Sequence, residues 1–168
     1  MTAWSALRTR RGLRTLAAAG LGAFSSAALG AAATTPDAAW YHRLEKPPWD
    51  PPTIAYPLVW TPLYADLALT GAAALTLLEQ EGRHGEVAAL RRALTTNLVL
   101  NTGWSVLFWR VRRPWWSAAW CAVLTAHSTA LVARVGKVDP TLGAALAPYP
   151  LWCGFATALN TSIARRNG

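Results

Sequence analysis

Acidic residues are scarce in this chain: eight Asp and Glu stand against sixteen Lys and Arg in 168 residues. No pair of carboxylates is spaced for general acid–base work, and no Gly-rich loop that would cradle a phosphate is present. Cysteine is rarer still. Cys121 and Cys153 are the only two, far apart and without metal-ligand spacing. A disulfide framework is excluded, and both read as small packing residues. The net charge of +8 does not indicate nucleic acid, because no recognition module accompanies it. What the chain lacks most is charge over long distances, and that absence organises everything else.

The charges gather into short runs. Between them lie nearly uncharged stretches at 15–36, 51–78 (interrupted once, by Asp66), 93–109, 114–133 and 140–164. Each reaches the roughly 17–25 residues of helix needed to cross a hydrocarbon core. The expected fold is therefore all-α: an integral membrane bundle of five transmembrane helices, near 13–34, 52–78, 92–109, 114–133 and 140–164. A basic segment, 1–12, precedes it, and a short basic tail, 165–168, follows. The charged stretch 79–92 reads as a loop. Arg8, Arg10, Arg11 and Arg14 before an apolar run that reaches Ala31-Ala32-Ala33 also describe a secretory signal. The run is long enough to span, so a retained first helix is expected. The positive-inside rule puts the N-terminus inside by a narrow margin.

Gly22, Ser26 and Gly30 form a small-residue stripe on the first helix, suited to packing within the bundle or to a homodimer contact. The connection 35–52 holds Pro36, Pro47, Pro48, Pro51 and Pro52 together with Trp40, Tyr41 and Trp49. Proline fixes φ and donates no backbone hydrogen bond, so this segment is stiff and irregular, suited to capping a cavity.

Tryptophan is abundant, at ten residues. Interfacial anchoring accounts for Trp109, Trp115 and Trp116, which flank a tight loop. It does not account for Trp60, Trp104 and Trp152, which lie inside their spans. Asn97, Asn101, Trp104, Ser105 and Phe108 share one face of the third helix. Trp152, Ala156 and Asn160 share a face of the fifth, and Pro57, Trp60, Thr61 and Tyr64 a face of the second. Amides in a membrane need partners, so these faces point inward. They serve either interhelical hydrogen bonding alone or an aromatic-walled cavity for a planar hydrophobic molecule. Asp66 and His127 are the ionisable groups within spans, read as polar packing residues. A pair between them, or His127 as an axial haem ligand, are the alternatives. So few intramembrane charges argue against an ion-driven transporter.

Three segments then carry a resemblance. They are Trp40-Tyr41-x-x-Leu44-x-Lys46-Pro47-x-Trp49-x-Pro51-Pro52 with Val59-Trp60-x-x-Leu63-Tyr64; Asn101-x-x-Trp104-Ser105-x-x-Phe108; and Asp139-x-x-x-Gly143 with Pro148-Tyr149, Trp152, Phe155-Ala156 and Leu159-Asn160. In order and spacing they resemble the tryptophan-rich sensory protein / translocator protein family, also called the peripheral-type benzodiazepine receptor family. The resemblance covers about residues 40–160. It implies a five-helix bundle, commonly dimeric, that binds tetrapyrroles such as protoporphyrin IX and haem. Benzodiazepine- and isoquinoline-type compounds, and cholesterol in eukaryotic members, are further implied ligands.

The resemblance also implies ligand-binding positions at Tyr41, Trp60, Asn101, Trp104 and Trp152. Trp40, Trp49, Tyr64, Asn97, Phe108, Leu151 and Asn160 are further pocket or cap positions. Some positions depart from the family. Val106 stands where proline is frequent, implying a straighter third helix. Leu151 replaces a small residue and would narrow the pocket. Asp66 stands where an apolar residue is expected. No Tyr lies between Leu159 and Arg165, so the cholesterol-recognition pattern is absent.

The expectation is a multi-pass protein of a bacterial cell membrane, a homodimer that binds porphyrin or haem in a sensory or regulatory role. No obligatory cofactor, no catalytic residue, no metal and no nucleic-acid partner are expected. A transporter of porphyrins or other amphiphiles, and light-dependent porphyrin breakdown, are the alternatives.

Overall fold

Proline and charge decide where the helices begin and end. The computed structural model describes residues 3–168, and among them there is no β-strand. A 3₁₀ turn, Ala3–Arg8, leads into α1, Arg10–Ala33. Thr9 caps α1 by accepting the Gly12 N–H at 2.9 Å. The proline-rich connection holds only a short α2, Ala39–Arg43, before α3, Ala55–Gln80. After a tight turn come α4, His84–Val106, and a π-helical turn, Leu107–Val111. Pro114, Pro140 and Pro148 then open α5, Pro114–Val138, α6, Pro140–Leu146, and α7, Pro148–Asn167. A first-turn proline costs no hydrogen bond and its φ already suits the helix.

Four helical units are long and apolar enough to cross a membrane: α1, α3, α5 and the Pro140–Asn167 unit formed by α6 and α7 together. The chain is thus a multi-pass membrane protein.

Three expectations need correction. The charged stretch 79–92 is not a loop, because α4 already starts at His84. Its Glu and Arg residues are good helix formers and carry the helix past the apolar region. The turn itself is fastened by Arg83, which pairs with Glu81 at 2.8 Å and with Glu86 at 2.7 Å. The last helix is not continuous, since it breaks at Ala147 where Pro148 restarts it. Finally, α4 is not straightened by Val106. It widens directly after it into the π turn, which ends at Arg112 with φ 57°. That wide turn brings the consecutive residues Phe108 and Trp109 both inward.

The bundle is solid at one end and hollow at the other. In the second half of α3, Ala72, Ala73 and Ala74 are all fully buried, so neighbours surround that helix on every side. Leu78, Leu90, Leu131, Val135, Leu142 and Leu146 complete this packed end. Close approach reaches its limit where α5 meets α6: a Cβ on Gly143 would lie 2.6 Å from the Gly136 Cα. Towards the proline-rich connection the helices diverge, and a small aromatic cluster of Tyr41, Phe108 and Trp109 replaces the aliphatic core.

Small residues on α1 hold it against α4. Ser26 lies 2.8 Å from the Thr102 hydroxyl and donates to the Leu98 carbonyl at 3.1 Å, while Gly30 lies over Ser105. The stripe therefore packs within the bundle, and α4 already occupies the face a dimer contact would need.

Candidate functional site

The hollow end encloses a cavity of about 910 Å³, walled by α1, α3, α4, α5 and α7 and roofed by the 35–54 connection. Its volume lies near the top of the range of small-molecule sites. The aromatic faces foreseen in the sequence converge on it. Trp104 stacks on Phe108 with ring centres 5.4 Å apart and planes 20° apart. Trp152, also on the wall, stacks on Phe155 at 5.1 Å and 27°. Trp60 stands edge-on to Trp152 at 6.4 Å and to Tyr149 at 6.2 Å.

The polar groups of the wall are mostly committed to one another. Asn101 accepts from the Tyr64 hydroxyl at 2.9 Å and donates to Tyr149 at 3.0 Å. Tyr149 in turn donates to Asn97 at 2.7 Å, and Asn97 donates to Ser128 at 2.9 Å and lies 3.2 Å from His127 Nδ1. One hydrogen-bonded chain thus ties α3, α4, α5 and α7 together through an otherwise apolar interior. The indole of Trp104 donates to Asn160 at 3.2 Å. Trp152 differs: its indole nitrogen is buried with no hydrogen-bond partner. A buried donor left unpaired is uncommon and costs free energy. No cation lies on the wall, and the one carboxylate there, Asp50, accepts from the Tyr56 hydroxyl at 2.9 Å.

The roof is latched at several points. Tyr41 packs on Trp109 at 4.7 Å between ring centres, and Lys46 holds its ammonium 3.4 Å from the centre of the Tyr41 ring. Trp49 lies edge-on to Phe155 at 5.8 Å. At the far side, the Asn167 amide makes a double bridge to Glu45, accepting its N–H and donating to its carbonyl, both at 2.9 Å.

The amino-acid sequence matches a family model over residues 15–166. The chain belongs to the TspO/MBR family. It is 35% identical to the tryptophan-rich sensory protein of Cereibacter sphaeroides over 146 residues, which is 84% of this chain and 87% of that one. It is 32% identical to protein CrtK of Rhodobacter capsulatus, over 77% of this chain and 79% of that one. Identity to the human translocator protein is 30%, over 76% of this chain and 75% of that one.

Of the positions named from the sequence of this TspO/MBR member, Tyr41, Trp60, Asn101, Trp104 and Trp152 line the cavity, and so do Tyr64, Phe108 and Asn160. Trp40 and Trp49 belong to the roof, Trp40 edge-on to Phe108 at 5.5 Å. Two positions are corrected. Asn97 is fully buried behind the wall, one helical turn deeper than Asn101. Leu151 is 74% exposed and faces outward, since one residue along a helix turns the side chain about 100° away from Trp152. It does not narrow the cavity. Nor does Asp66 pair with His127: the imidazole meets Asn97, and among the described residues the Asp66 side chain has no hydrogen-bond or ion-pair partner.

Some site features went unread in the sequence. Phe155 lies three residues after Trp152, so the helical spacing that grouped Trp152 with Ala156 was also its signal. The Asn167–Glu45 bridge left no such trace, because its partners are separated by almost the whole chain.

Proposed function

We propose that this cavity binds a planar tetrapyrrole, porphyrin or haem, and that the protein acts as a membrane-embedded sensory or regulatory protein of tetrapyrrole metabolism. The observation that carries the reading is the pair of stacked aromatic walls, Trp104–Phe108 and Trp152–Phe155, facing a large apolar void. Flat π surfaces on the wall favour a flat guest. Because the wall carries no cation, the carboxylates of a porphyrin belong at the mouth, where Lys46 stands over Tyr41. The relatives' names support a sensory or translocating role in a general way. The cavity adds the chemistry of the ligand.

Two structural readings accompany this proposal. The first is that α4 is a fifth span. It is not among the four units apolar enough to span on composition alone, but its amides face inward and are paired, which is how a polar helix becomes tolerable in lipid. The second is that the protein forms a homodimer through a surface other than the Gly22/Ser26/Gly30 stripe. Chemical cross-linking in bilayers, followed by mass determination, tests it: a dimer is expected, and a monomer at all lipid dilutions contradicts it.

Tetrapyrrole binding is tested with protoporphyrin IX and its dimethyl ester. Both should bind the wild type, and Lys46→Gln should weaken the free acid while sparing the ester. Failure of both compounds to bind folded protein contradicts the reading.

A further inference from the structure

A second cleft opens at the packed end of the bundle, away from the roofed cavity. It encloses about 440 Å³ between α4 and α5, with Leu78 and Leu90 on its floor. It exists because α5 presents only Ala130 and Ala133 towards α4 at this level, and two methyl groups cannot fill the gap. One helical turn further along the same face stand Arg134 and Lys137. Both line the cleft, both are exposed, and among the described residues neither has an ion-pair or hydrogen-bond partner. Glu86 also lines the cleft, but Arg83 grips its two oxygens at 2.7 Å each and neutralises it.

The position matters as much as the composition. The C-terminal ends of α3 and α5 and the N-terminal end of α4 meet here, where the helices leave the apolar region. The cleft thus has an apolar floor on the hydrocarbon side and two uncommitted cations on the water side. We infer that it is a binding site for an anionic phospholipid: the phosphate of the headgroup meets Arg134 and Lys137, and an acyl chain lies over Ala130 and Ala133 on Leu90. Basic pockets between membrane helices recognise anionic headgroups by this chemistry. The aromatic cavity plays no part in it.

The full chain, delipidated in neutral detergent, is titrated with dioleoyl phosphatidylglycerol or dioleoyl phosphatidylcholine, and bound lipid is counted by native mass spectrometry. Phosphatidylglycerol should bind about tenfold or more tightly, and the double variant Arg134→Gln/Lys137→Gln should remove most of that preference. Arg10→Gln/Arg11→Gln deletes two cations at the same end of the bundle but outside the cleft, and should leave the preference intact. Ala130→Leu fills the cleft without changing charge and should weaken both lipids. Equal losses in the two double variants would show attraction to charge in general and overturn the site. Insensitivity to Ala130→Leu would also overturn it. Displacement of the lipid by millimolar inorganic phosphate would assign the cations to a free anion and overturn the lipid.

Discussion

Tyr149 carries an unusual share of the interior for one side chain. Its hydroxyl is fully buried, donates to Asn97 and accepts from Asn101, and so joins α7 to both amides of α4. Tyr149→Phe keeps the ring and removes the bridge, leaving Asn97 Oδ1 and Asn101 Nδ2 without their partner. Leaving such groups unpaired costs on the order of 1–3 kcal/mol. The variant should therefore unfold at clearly lower temperature in detergent, with helix content unchanged beforehand. An unaltered melting temperature would show that water or a rotated amide replaces the bridge. Asp66 is the converse case. Half-buried and unpartnered in the middle of α3, it costs roughly 2.5–3.5 kcal/mol on insertion scales when placed at a helix centre. Asp66→Leu is expected to leave stability equal or higher, by the same melting measurement.

At the scale of single elements, caps and small residues decide the outcome. Asp139 accepts N–H bonds from Thr141 at 2.7 Å and Leu142 at 3.3 Å, as well as the Thr141 hydroxyl, and so caps α6. The Thr141 hydroxyl foremost, and then these amides, hold its carboxyl below the usual carboxylate range. A depressed folded-state pKa contributes stability above the ordinary carboxylate pKa, and that contribution is lost as pH falls through the depressed value. Asp139→Ala should destabilise by about 0.5–2 kcal/mol at neutral pH, and its deficit against wild type should shrink below about pH 4. Asp139→Asn keeps an acceptor and should lose less. On α1, Ser26→Leu should lower thermal stability without changing the oligomeric state, because Leu cannot fit against Thr102 and Leu98.

Much at this scale was legible beforehand, for a physical reason: a helix in lipid must be apolar outside, so its few polar positions reveal its inward face. That is why Asn101, Trp104 and Phe108 could be placed together from spacing alone. Two kinds of feature escaped. Helix ends beyond the apolar zone obey ordinary propensity, so His84–Arg92 continued α4 where charge suggested a loop. Small offsets also matter: Leu151, beside Trp152, turns away from the cavity to the outside, which sequence proximity conceals.

For the whole molecule, the division into a solid end and a hollow end is the central feature. The Ala-rich second half of α3 lets its neighbours close tightly, while the aromatic and proline-bearing first half keeps them apart around a void. The Asn167–Glu45 bridge closes the roof across the sequence, and Asn167→Ala should speed ligand exchange while altering equilibrium affinity little, as followed by stopped-flow fluorescence. The most direct test of the account is a titration of purified wild-type and variant protein with protoporphyrin IX, read as quenching of tryptophan emission. Trp60→Ala and Trp152→Ala should each weaken binding by roughly threefold to tenfold or somewhat more, since an aromatic contact contributes about 0.5–1.5 kcal/mol beyond its area. Trp116→Phe, on the exposed surface near the π turn, should bind as wild type. If both alanine variants, shown to be folded, bind as tightly as wild type, the porphyrin does not occupy the cavity, and the stacked walls serve helix packing alone.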